Sequence, residues 1–171
     1  KVSYEVVSEG RRLADQLGTT VVAIVLGSGI DGLGETLGFY GADKVVVADS
    51  EIFKNYSAEG YTATIVEAVK NVDPEIILLP ASVLGKDLAP RIAANLDVGL
   101  ATDCIEFSLE ESNLQATRPM YAGKVISTFK FNASPQMATM RPNIFTASEP
   151  DTSKSPEVEN VTVTISAGEL K

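Results

Sequence analysis

Apolar positions in this chain follow two rhythms that take turns. Residues 3–17 carry Val6, Val7, Leu13, Ala14 and Leu17 at spacings that gather on one side of a helix, and Gly18 is a natural stop for it. Residues 20–26 are β-branched or apolar without a break, the mark of a strand covered on both faces. A short helix is expected over 31–40, weakened by Gly32, Gly34 and Gly38, and a second buried strand over 44–48, ending at Asp49. Residues 57–72 return to helical spacing, with Ile65, Val66 and Val69 facing inward. The run 76–79 stops at Pro80, a small polar loop follows, and a helix with Leu88, Ile92 and Leu96 on one face closes the unit. Strands and helices alternating this way build a Rossmann-like α/β domain, a mainly parallel sheet flanked by helices. Such sheets bind ligands beyond the carboxyl ends of their strands, so the loop before this last helix is a candidate site.

The pattern changes near residue 100. Residues 102–109, 114–117, 124–131 and 136–140 read as successive strands joined by turns such as 110–113, with no helical spacers between them. They are expected to extend the sheet, some of them antiparallel. Residues 147–160 are rich in serine, proline and acid, with Pro150 and Pro156, and read as an exposed loop or linker, after which 161–165 resume a strand pattern. The expected organisation is an α/β domain over 1–146, then a linker and final strand over 147–171. With a helix first and a strand last, the sequence reads as a piece of a larger subunit.

Composition narrows the chemistry more than the fold. Among 171 residues 14 are basic and 23 acidic, a net charge of −9 that argues against a nucleic-acid surface. No apolar run nears the ~20 residues that cross a bilayer, so direct membrane insertion is not expected. Histidine is absent, which removes the commonest general base, the Ser-His-Asp arrangement and every histidine metal site. The one cysteine, Cys104, lies within an expected strand and reads as a buried structural thiol. A self-contained hydrolase or metalloenzyme is not expected, and no catalytic or metal-binding residue is assigned.

Three places carry candidate chemistry. Residues 27–32, Gly-Ser-Gly-Ile-Asp-Gly, hold a literal G-x-G-x-x-G after a strand, and Asp49 follows 20 residues after Gly29, as in a dinucleotide fingerprint. The alternative is a glycine-rich turn, because Gly34 and Gly38 weaken the helix that should receive a phosphate. Ser82, Gly85, Lys86 and Asp87 form the loop of the third unit, with Asp87 as the expected N-cap and Pro90 in the first turn. A capped helix with an exposed lysine and a nucleotide or partner contact are both open there. Last, Arg118-Pro119 and Arg141-Pro142 end two strands about one hairpin apart. Each proline should stop its ladder, so a shared interface of Arg118, Tyr121 and Arg141 at one sheet edge and solvated surface side chains are both open there.

Several of these segments together resemble a known family. Leu-Leu-Pro-Ala-Ser-Val-Leu-Gly-Lys-Asp-Leu-Ala-Pro-Arg-Ile-Ala-Ala, Ala-Thr-Asp-Cys, Thr-Arg-Pro-Met-Tyr-Ala-Gly-Lys and Ala-Thr-Met-Arg-Pro-Asn are similar to the N-terminal domain of the electron transfer flavoprotein alpha subunit. Tyr-Gly-Ala-Asp-Lys-Val at 40–45 fits the same pattern, and the likeness runs to about Phe145. The resemblance implies an adenine nucleotide alpha hydrolase-like fold and a heterodimer with a beta subunit. It implies FAD in the intact parent, which carries electrons from dehydrogenases, such as those acting on acyl-CoA, to a quinone oxidoreductase or similar acceptor. The family holds its flavin mainly in a C-terminal domain, so this chain is expected to bind no FAD and to act as scaffold and docking domain of an electron carrier rather than as an enzyme. The family's opening strand is also missing before residue 3. A cytoplasmic location follows for a bacterium or archaeon, the mitochondrial matrix for a eukaryote.

Two other readings stay open at this stage. One is a stand-alone adenine-nucleotide-binding module resembling universal stress proteins, with ATP or AMP near 82–87. The other is a nicotinamide-dependent enzyme using 27–32, which would need a catalytic base that a histidine-free chain does not obviously offer.

Overall fold

Helices pack on both faces of two parallel three-stranded sheets in the structure, a computed structural model that describes residues 1–163. In the first sheet β2 (Lys44–Asp49) lies between β1 (Val22–Gly27) and β9 (Glu157–Asn160). In the second, β8 (Gln136–Met140) lies between β3 (Ile76–Pro80) and β4 (Leu100–Cys104). Strands β5 (Glu106–Glu110), β6 (Asn113–Met120) and β7 (Val125–Lys130) form a separate antiparallel meander.

Alternation along each strand decides which helix it meets. Ala23 and Val25 of β1, with Val45 and Val47 of β2, turn to Val7 of α1 (Val2–Leu17) and Leu37 of α2 (Leu33–Gly38). Ile24 and Leu26 turn the other way, towards Ile65, Val66 and Val69 of α3 (Ala58–Val72) and Leu88 and Ile92 of α4 (Val83–Leu96). Those same helices cover Ile77, Leu79, Leu100 and Met137 of the second sheet, so one helical layer spans both sheets. On the opposite face Ala101, Cys104, Ala138 and Met140 pack with Leu13 of α1 and with Phe107, Leu114 and Ala116 of the meander. Ion pairing ties these layers down: Arg12 binds Glu9 of its own helix and donates to the Phe107 carbonyl at 2.9 Å.

The expected α/β architecture is present, with four differences in detail. The run 102–109 is two strands, broken where Asp103 takes a left-handed φ of 58° and the β4–β8 register shifts between Ala101 and Cys104. Of the strands expected as additions to the sheet, the antiparallel ones, β5–β7, form a sheet of their own, and β8 runs parallel in the centre of the second sheet. Pro119 does not stop β6, which continues to Met120 with Pro119 opposite Ile126. The Thr117 carbonyl accepts from Ile105 N–H, so the backbone at 117 and, two residues on, at 119 turns towards β5. The β5 ladder has already ended at Glu106, so the N–H that proline lacks has no ladder bond to make.

The fourth difference is β9, inside the stretch expected to be loop throughout. Val158 is the strand's apolar contact, while Glu157 and Glu159 are held by Lys44 at 2.9 and 2.7 Å. The glycines that weaken α2 also make room for this edge: a Cβ on Gly38 would lie 2.4 Å from Pro156. Of the strand expected over 161–165, residues 161–163 are not in a strand, and the remainder lies outside the described residues.

Candidate functional site

The first strand end closes on itself. Asp49, at the end of β2, accepts Gly29 N–H at 2.8 Å and Ile30 N–H at 3.1 Å, and Glu51 accepts the Ser28 hydroxyl at 3.0 Å. These are the donors that a dinucleotide pyrophosphate would need, and carboxylates already hold them. The helix that follows, α2, has only six residues. The residues of 27–32 therefore do not fit a dinucleotide or flavin.

The strand end after β3 is closed by a different cap. Helix α4 starts at Val83, a turn before the expected start, and Ser82, not Asp87, is its N-cap: the Ser82 Oγ accepts Gly85 N–H at 3.2 Å. Pro90 consequently lies inside the helix instead of in its first turn. Gly85 permits the early start, because a Cβ there would lie 1.8 Å from the Pro80 carbonyl oxygen. Asp87 instead accepts the Tyr56 hydroxyl at 2.7 Å and binds Arg91 at 3.3 Å. The Tyr56 hydroxyl and then Arg91 hold the Asp87 carboxyl below its usual range, while burial and Asp87 push the Tyr56 phenol up to about 12. With the helix capped by its own serine and Gly85 pressed against the strand, no phosphate cradle remains.

The third strand end is open. Arg118, Tyr121 and Arg141, with residues 119, 120, 122 and 123, line one shallow cavity of about 390 Å³. The three residues expected to share an edge thus line one cavity. Arg141, just past β8, donates to the Asp103 carboxylate at 2.7 Å, and its backbone N–H donates to the Cys104 carbonyl at 2.8 Å. Asp103 is held in turn by its own N–H, which donates to the Thr139 hydroxyl at 2.8 Å. Arg118 reaches across from β6 to the Thr102 hydroxyl.

The field here is positive. Pairing with Arg141 holds the Asp103 carboxyl well below the usual carboxylate range, and the fields of Lys86 and Arg118 add to the effect. Burial pushes the Cys104 thiol up to about 11, so it is an inert core group. Tyr121 sits on a hairpin turn in which Tyr121, Ala122 and Gly123 have φ of 50°, 55° and 84°. A left-handed backbone costs roughly 1 kcal/mol or more at each non-glycine residue. The Tyr121 ring on this turn is 74% exposed.

Asp103 and Thr102 are site residues that motif reading passed over. The available signal was a carboxylate between Thr102 and the buried Cys104 in an expected strand, where it needs a partner. Among the described residues no group of histidine, cysteine, aspartate and glutamate could hold a metal ion, and no helix is long and apolar enough to cross a membrane.

Comparison with known proteins matches residues 1–166 to the family described as electron transfer flavoprotein domain. Protein FixB of Clostridium saccharobutylicum is 38% identical over the whole chain and 52% of its own length. The electron transfer flavoprotein subunit alpha of Clostridium acetobutylicum is 40% identical over 85% of the chain and 44% of its own length. The acryloyl-CoA reductase electron transfer subunit beta of Anaerotignum propionicum is 35% identical over 85% of the chain and 47% of its own length. The chain thus spans about half the length of these curated relatives.

Proposed function

The chain belongs to the electron transfer flavoprotein family, and on that premise we propose that it is the scaffold and docking domain of an alpha subunit, built to hold a beta subunit. The assembled protein would carry electrons through FAD from a dehydrogenase, such as one acting on acyl-CoA, to a quinone oxidoreductase or similar acceptor. A relative named for acryloyl-CoA reductase supports a redox partner that acts on an acyl-CoA thioester. This domain is then part of a carrier, not a self-contained enzyme. It contributes shape and contact, and the flavin is held elsewhere. The closed loops at 27–32 and 82–87 support that division, since their donors are already taken by Asp49, Glu51 and Ser82.

The observation that carries the docking role is the convergence of Arg118, Tyr121 and Arg141 on one open cavity. Arginine and tyrosine are the side chains most often found at the energetic centre of interfaces. Replacing all three with alanine in the full-length alpha subunit should weaken association with the beta subunit by about 2 kcal/mol or more, some thirtyfold, in a calorimetric titration. Unchanged affinity would remove this face from the interface. The chain purified alone should be colourless, and flavin retained at one equivalent would place the cofactor here after all.

A further inference from the structure

Arg118 and Arg141 share a cavity but differ in electrical state. Arg141 has a carboxylate, Asp103, at 2.7 Å. Among the described residues Arg118 has one hydrogen bond, to the uncharged Thr102 hydroxyl, and no ion pair, and its Nε is shielded from water without an acceptor. A guanidinium donor removed from water and left unpaired is unfavourable until an acceptor arrives. Asp103 makes its hydrogen bond to Arg141 and acts on Arg118 only through its field.

The missing acceptor has the character of a carboxylate. A phosphate needs several converging donors, and three of the nearby backbone N–H groups are engaged. Gly123 donates to the Met120 carbonyl, Lys124 to the Tyr121 carbonyl, and Lys86 to the Ser82 carbonyl. One guanidinium suffices for a carboxylate, with charge-assisted hydrogen bonds. The surroundings favour a protein as its source. Beside the cavity, Tyr121 is 74% and Ile126 58% exposed, surface that a free acid would leave in water and a partner would cover. In a chain of net charge −9, an uncompensated arginine is also the local exception that an acidic patch complements.

We propose that this cavity receives a single aspartate or glutamate side chain of the beta subunit, which pairs with Arg118; the assignment rests on the docking reading above. The pair forms only on assembly. It supplies Arg118 with its anion and sets the register of the hairpin carrying Tyr121 against the partner.

The full-length alpha and beta subunits provide the test. R118Q should weaken their association at least tenfold and flatten its salt dependence, while leaving the unfolding midpoint of the free alpha subunit in place. R118K should retain part of the affinity, and a water-soluble carbodiimide should then join the new amine to one beta-subunit carboxylate, located by peptide mass spectrometry. Normal affinity for R118Q beside weakened binding for Y121A overturns the carboxylate pairing and leaves the docking reading standing. Normal affinity for both overturns docking through this face as well. Coupling of the R118K amine only within the alpha subunit also overturns the proposal, by naming an internal acid as the occupant.

Discussion

The strand end at 27–32 and the strand end at Arg118 make opposite use of charge. At the first, the Asp49 carboxylate turns inward and takes two backbone N–H groups of its own chain, so a motif that spells a cofactor loop is complete without a ligand. At the second, a guanidinium reaches a neutral hydroxyl and stops, beside an exposed tyrosine. A spacing of glycines names a shape; the donors left over after folding decide whether anything binds there. By that criterion the glycine-rich loop is structural and the unremarkable Arg-Pro pair is the candidate site.

Substitutions at the closed ends should therefore act on stability, and those at the open end on association. The largest effect belongs to Gly85→Ala, whose added Cβ would lie 1.8 Å from the Pro80 carbonyl oxygen. Backbone must move to admit it, so a loss of about 3 kcal/mol in chemical denaturation is expected. A neutral result would mean that β3 and α4 are not packed as described.

Asp49→Ala comes next, at about 1–2 kcal/mol, the usual cost of a lost side-chain cap on backbone N–H groups. AMP added to either form should leave its thermal midpoint unchanged. Nucleotide-dependent stabilisation of the unsubstituted chain would revive the cofactor reading.

Asp103→Asn should cost about 1 kcal/mol, kept small because the Asp103–Arg141 pair is partly exposed. Its pH dependence is the sharper readout. The folded-state pKa is lowered chiefly by Arg141, so the pair's contribution is complete above the ordinary carboxylate value near ~4 and fades as pH falls through the lower folded value. The variant should lose that component of acid sensitivity, and identical acid profiles for the two forms would dissolve the pair.

Much of this contrast was legible in the sequence. Uninterrupted β-branched runs announced the parallel strands because both their faces are covered, and the stripes of α1 and α3 announced helices that cover them. Arg118 and Arg141 were legible as a pair through their prolines, although Pro119 does not end its strand. What stayed hidden depends on distant partners. Strand β9 has four exposed residues and no buried face, and its lysine anchor is more than a hundred positions away. Asp87 looked like the better helix cap because Pro90 sat at a good distance after it, whereas the contact of Gly85 with Pro80 sets the start. That Asp103 neutralises one arginine and not the other is likewise a matter of three-dimensional reach.

Hydrogen exchange on the full-length alpha subunit, with and without its beta subunit, tests the central claim most directly. Slowed exchange at 118–126 and 141–144, with 27–32 unchanged, is the expected result. Protection at 27–32 with none at 118–126 would contradict it.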